Sequence, residues 1–265
     1  MDAVTTTLLE HLLDDRPAPG TDPTTVVAEH ARHRDGGHAA AVGRLVVPDT
    51  ALVATGRVRA TLPGSAAWPV TVEASGGAGG VAALAGRSAS GLRVEAVETV
   101  LRDLDDLSGA VGRVAAAAAT LTDVAVFVEL PAVPGWVRAV EAVEAAGLLA
   151  RVTAAAGADA VALADRLSVL VEADLPFAVV LPPGTGRPGL AVLGLAMLVE
   201  ALVDGAEPAE AAALLSGTDP GRVRAGLARW DAATATRVRR RLRAVSTDLG
   251  AALADLTALG ALHAG

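Results

Sequence analysis

Apolar positions change their spacing along this chain, and the changes mark its elements. Residues 4–14 (VTTTLLEHLLD) put Leu8, Leu9, Leu12 and Leu13 at helical intervals, which predicts a short amphipathic helix. A Pro/Gly-rich loop follows over 16–23. Asp22-Pro23 then opens a helix through Arg34, with Asp22 as N-cap and Pro23 at the first helical position. After Gly36-Gly37 short apolar runs alternate with longer helical patterns. The runs are 44–47 (RLVV), 68–74 (WPVTVEA), 92–98 (LRVEAVE), 124–130 (VAVFVEL), 148–153 (LLARVT) and 176–181 (PFAVVL). The helical patterns between and after them cover 48–55, the stretch from 76–80 to about 85, 104–121, 134–146, 159–173 and 190–203.

Six strand–helix pairs with strands apolar enough for burial on both faces predict a parallel sheet under covering helices. The last third is less regular. It holds a helix at 208–215, an Arg-rich stretch at 222–243 and a helix at 251–262, with room for one or two more strands, for instance at 242–246. The expectation is an α/β fold, a (β/α) TIM-barrel-like domain that is whole or irregular and incomplete, with a doubly wound open parallel sheet as the alternative. A single domain over 1–265 is expected: an N-terminal helical segment at 1–35, regular β/α units at 36–205, and a mainly helical, Arg-rich part at 206–265.

Composition narrows the chemistry. The 52% hydrophobic content suffices for a core, and the net charge is −8. Uncharged stretches such as 188–199 fall short of the roughly 20 apolar residues a spanning helix needs. The first residues have no basic region and soon carry Asp14 and Asp15, so no signal peptide is expected. With no cysteine, disulfides, thiolate catalysis and cysteine metal sites are all closed, and a soluble, cytoplasmic protein is the expectation. Lys, Tyr, Asn, Gln and Ile are also missing, and all 22 basic residues are Arg. A GC-rich gene accounts for such a bias. Whatever its origin, it excludes Schiff-base catalysis, a Walker-type phosphate loop and side-chain amide readout of bases.

The order of segments resembles a family of bacterial proteins built from barrel-like β/α repeats, with no assigned activity. The residues that carry the resemblance are GRLVVP (43–48), LRVEAVET (92–99), VFVELP (126–131), LLARVTAAAGADA (148–160), DLPFAVVLPPG (174–184) and DLTALGAL (255–262). The resemblance implies a barrel scaffold. It also implies a Lys where Arg151 stands, and polar residues including Lys and His along 178–186, which reads AVVLPPGTG here. In those departures the chain looks like a degenerate member.

The candidate chemistry sits at strand ends, where barrels place their functional groups. Glu98 and Glu129 close the third and fourth predicted strands, and Glu73 lies near the end of the second. Glu98 and Glu129 are candidate acid and base, or oxygen ligands for a divalent metal; the plainer reading is a pair of Arg-neutralised rim carboxylates. Arg151 and Thr153 alternate onto one side of the fifth strand, where Arg151 would meet Glu129. Together they are candidate anion-binding groups, or Arg151 is the structural partner of a buried charge. The loop 182–189 (PPGTGRPG) adds Thr185 and Arg187 as candidate anion ligands before a helix, against the reading of an ordinary turn. Gly77 to Ala82 match G-x-G-x-x-G/A with Glu98 21 residues on, but a chain this rich in Gly and Ala yields such a match by chance. No cofactor is expected, and no metal site.

His11, His30, His33 and His38 cluster early and read as surface residues, and His263 as inert. From Arg222 to Arg243 eight Arg face one acid, Asp231. Only Trp230 could stack on a base and the whole chain is acidic, so a solvated helix paired with its own body is expected, with no nucleic acid and no membrane as partner. Trp68, Trp136 and Phe127 read as core fillers. Three functions stay open: a non-catalytic barrel that binds a small anionic ligand, an enzyme with a carboxylate-based site, and an interaction module using the Arg-rich third. Homo-oligomerisation is open as well.

Overall fold

A computed structural model of the chain describes residues 3–64, 66–154, 159–216 and 219–262. Among them eight parallel strands form a closed barrel in chain order: β1 (Leu13–Asp15), β2 (Val42–Pro48), β3 (Trp68–Ala74), β4 (Leu92–Val100), β5 (Ala125–Glu129), β6 (Leu149–Thr153), β7 (Phe177–Val180) and β8 (Leu242–Thr247). This is the TIM-barrel arrangement. Closure removes the two edges that a doubly wound open sheet would keep, so that alternative is overturned. The barrel is complete, with register shifts at Val70/Thr71 and Phe177/Ala178.

Two segments differ from the sequence expectation. The N-terminal helix is α1 (Ala3–Leu9), and the rest of the predicted 4–14 helix is strand. His11 turns the chain with a φ of 49° and donates its N–H to Ala40, after which Leu13 pairs with Val245 of β8. A three-residue strand that continues helical spacing cannot be told from one more helical turn by periodicity. The second segment is 242–247, where the suspected strand is β8.

The described residues fall into two compact units, one drawn from Arg16–Arg32 and Arg44–Val152, the other from Met1–Asp15, His33–Gly43 and Thr153–Gly265. In the first unit, β2 through β6 pair in order. Helices α3 (Leu52–Arg59), α4 (Ala78–Ala82), α5 (Leu107–Ala118) and α6 (Trp136–Ala145) accompany them, and α2 (Pro23–Arg34) precedes β2. Val70, Val72, Val97, Val126 and Val128 are buried apolar strand residues, and Val111, Val114, Val140 and Val143 are the buried stripes of α5 and α6. The alternate positions nearest the C-terminal strand ends carry the polar groups Thr71, Glu73, Glu98 and Glu129. Register aligns Glu73 with Glu98, Glu98 with Phe127, and Glu129 with Arg151. The bulge at Val70/Thr71 brings this about: Val70 faces Val94, but Thr71 faces Ala96, so β4 changes phase and Glu98 joins the face of Glu73.

In the second unit, β1 pairs with β8 and β8 with β7. The helices are α1, α7 (Ala160–Glu172), α8 (Pro188–Val203), α9 (Pro208–Ser216), α10 (Pro220–Leu227), α11 (Ala232–Arg241) and α12 (Leu249–Ala258). Helix α8 is apolar all round from Leu190 to Val199, and so has to be covered on every side there. Helices α7, α9, α10, α11 and α12 all pack on it, which gives the three helices inserted between β7 and β8 a structural reason. Gly189 lets α12 approach: a Cβ there would lie 2.8 Å from Ala252 O and from Leu256 N. Among the described residues no helix is long and apolar enough to cross a membrane.

Candidate functional site

At the C-terminal ends of β3 to β6, three carboxylates and two guanidiniums form one network. Glu73 comes from β3, Glu98 from β4, Glu129 from β5 and Arg151 from β6; Arg16 enters from the segment after β1. Arg151 donates from Nε to Glu129 Oε2 at 2.5 Å and from Nη1 to Glu98 Oε2 at 2.6 Å. The same Nη1 lies 3.5 Å from Glu73 Oε1. Arg16 donates from Nη2 to Glu98 Oε2 and from Nη1 to Glu73 Oε1 at 3.2 Å. Glu98 is therefore held from two sides through a single oxygen.

Burial decides what these groups can do. The Glu98 side chain is 2% exposed and that of Glu73 39%. Burial pushes the Glu98 carboxyl up, but the Arg16 and Arg151 charges and their hydrogen bonds outweigh it and hold the group below the ordinary glutamate value. Burial likewise works against the charge of Arg151, and Glu98 and Glu129 overcome it, so its pKa lies above that of a free arginine. A general acid needs a proton to give near neutral pH, and Glu98 holds none there; a guanidinium gives none up. Among the described residues no three His, Asp or Glu are grouped to hold a metal ion.

Other expected site residues have partners of their own. Thr153 closes β6 and is half-buried. Thr185 donates its hydroxyl to Pro182 O at 2.8 Å, the bond of a turn. Arg187 donates to Asp255 Oδ1 from Nε at 3.1 Å and Nη2 at 2.7 Å, while Asp255 Oδ2 accepts the Leu190 N–H in the first turn of α8. The Gly-rich loop after β3 leads into the five-residue α4, and there Ser75 binds Asp49 and Arg102 rather than standing open.

Sequence reading missed Arg16, because a Pro/Gly-rich loop gives no reason to expect an ordered guanidinium. Its position directly after a strand is the signal, and the helical spacing of 4–14 hides that strand. The surface reading of the histidines is corrected for His30: it is fully buried, its ring 5.1 Å from that of Trp68 in an edge-on arrangement. Val26, Val27 and His30 share the inward stripe of α2, so spacing rather than polarity decided its side. His33 Nδ1 lies 3.7 Å from Asp15 Oδ2, and His38 Nε2 lies 3.1 Å from the Thr257 hydroxyl. His263 lies outside the described residues. Phe127 and Trp68 are buried as expected, Phe127 beneath the Arg44 guanidinium at 5.6 Å and Trp68 beneath that of Arg59 at 4.6 Å; Trp136 is half-exposed. In the Arg-rich stretch, Arg237 pairs with Asp204 at 3.4 Å, Arg241 with Asp174, and Arg239 with the carbonyls of Leu242, Arg243 and Glu10.

No family model matches this chain. No curated protein matches it either. Among solved structures it is similar to Xanthomonas albilineans dihydropteroate synthase with 4-aminobenzoic acid, at 17% identity and a TM-score of 0.45, over 96% of this chain and 92% of that one.

Proposed function

We propose that this protein is a non-catalytic β/α barrel whose strand-end network takes up a small anion by carboxylate exchange. The observation that carries the reading is the double hold on Glu98, which spends both guanidiniums on keeping a buried carboxylate charged. With Glu98 ionised, and Glu98 and Glu129 both bonded to Arg151, the two candidates for acid and base work act as a fixed scaffold. Glu73 is the replaceable member. It is the most exposed carboxylate of the three, and its contacts to Arg16 and Arg151, at 3.2 and 3.5 Å, are the loosest measured there. If Glu73 turns to solvent, Glu98 and Glu129 still balance Arg16 and Arg151, and an incoming carboxylate or phosphate restores the original count of charges. Arg suits this role because its planar fork matches both oxyanions. Thr185 and Arg187 are assigned to structure, Glu129 to orienting Arg151, and Thr153 to the rim. The absence of cysteine keeps a cytoplasmic location within this reading.

The test is thermal unfolding of the wild type and Glu73→Gln with inorganic phosphate, a sugar phosphate, a nucleotide and Mg²⁺. An upward shift with phosphate compounds is expected in the wild type and a larger one in the variant, which no longer competes for the guanidiniums. Mg²⁺ is expected to shift neither. No shift with any anion in either protein overturns the anion site, and turnover of any of these compounds overturns the non-catalytic assignment.

A further inference from the structure

A second site stands apart in chemistry from the strand-end network. Helices α8, α9 and α10 line a solvent-open cavity of about 240 Å³ bordered by Met197, Ala213, Leu214, Arg222, Val223, Ala225 and Arg229. Its floor is aliphatic, from Met197, Leu214 and Val223, and its two charged residues are both arginines. Three other arginines of the Arg-rich stretch are held by the chain itself. Arg237, Arg239 and Arg241 are bonded to the chain's own carboxylates and carbonyls. The guanidiniums of Arg222 and Arg229 donate no hydrogen bond and lie within ion-pair distance of no carboxylate among the described residues, although Arg229 feels the charge of Glu200. Gly226 belongs to the same construction. A Cβ there would lie 2.3 Å from Met197 Cε, so the missing side chain is what lets the thioether lie under α10.

We infer that this cavity binds a short-chain aliphatic carboxylate, its tail on Met197, Leu214 and Val223 and its head on Arg222 and Arg229. Size and charge favour this occupant over others. An apolar cavity of about 150 Å³ holds a benzene-sized molecule, so this one takes a chain of about six to eight carbons. Guanidiniums bind carboxylates through paired N–H donors, and two cations beside an apolar floor discriminate against a neutral or cationic amphiphile. A bare inorganic anion would leave the floor unused. Glu200, half-buried on α8, has its carboxyl raised first by burial and then by Asp204; the charge it keeps competes with the ligand for Arg229, which leaves Arg222 as the principal clamp.

Calorimetric titration of the full chain with butyrate, hexanoate, octanoate and hexanol tests this. Affinity is expected to rise about fourfold per added methylene until the cavity is full. Hexanol should bind at least tenfold more weakly than hexanoate. Arg222→Ala/Arg229→Ala, both at exposed positions, should lose at least tenfold for hexanoate while its melting curve is unchanged, and Ala213→Leu should reduce binding by filling the space. Absence of hexanoate binding at millimolar concentration, equal binding of hexanol, or wild-type affinity in the double variant each overturns the site. Because Arg222 and Arg229 take no part in the strand-end network, the loss of affinity in their double variant separates this site from it.

Discussion

Two groups of neighbouring strands end in opposite ways. β3 to β6 finish in Glu73, Glu98, Glu129 and Arg151, whereas β7 is Phe177-Ala178-Val179-Val180, buried throughout, and β8 finishes in Ser246 and Thr247. The first region satisfies its buried charges with one another, inside a single network. The second keeps its charge pair, Arg187 and Asp255, on a loop and a helix, with Arg187 44% exposed. A buried carboxylate is tolerated only when paired and hydrogen-bonded, and the network meets that condition at Glu98 twice over. A pair whose guanidinium is open to solvent, as at Arg187, needs less support and contributes less.

This comparison breaks most easily at Arg151. Arg151→Ala leaves Glu98 and Glu129 short of a partner, and is expected to destabilise the fold by about 3–5 kcal/mol in urea unfolding. A loss under 1 kcal/mol would mean that the network is no tighter than a surface pair. Next comes pH. Glu98 has a folded pKa below the ordinary 4.5, so its pairing stabilises the protein above that value, and this is lost as pH falls through the folded value. The stability gap between wild type and Glu98→Gln should therefore be constant from neutral pH down to about pH 5 and should narrow as the solution is acidified further. A gap that widens on acidification would reverse the sign of the interaction. The smallest effect belongs to the second region: Arg187→Ala should cost about 0–1 kcal/mol. Asp255→Ala should cost about 1 kcal/mol, because it also frees the Leu190 N–H. If Arg187→Ala matched Arg151→Ala, the contrast between the regions would fail.

Much of the scaffold could be read in the sequence because it is local. Trp68–Ala74 matches its predicted bounds residue for residue, and β8 falls where the irregular last third left room for it. The 48–55 helix lies later, at Leu52–Arg59, because Pro48 stays in β2 and Ala51 is the N-cap. Of the site, the pairing of Arg151 with Glu129 was legible, since alternation and adjacency of strands are enough to place both. The hold on Glu98 was not, because it depends on the β4 phase change and on Arg16, separated from Glu98 by 82 positions.

By itself, then, the sequence determined the α/β class, the number of regular units from β2 to β7, and the exclusion of thiol, amine and phosphate-loop chemistry. Each of these follows from periodicity or from residue type. Only the tertiary structure decided that the barrel closes, that a bulge turns Glu98 toward Glu73, and that Arg16 and Arg151 meet there to keep it charged. Closure and ionisation state depend on which distant groups share a low-dielectric space, and no stretch of sequence carries that alone.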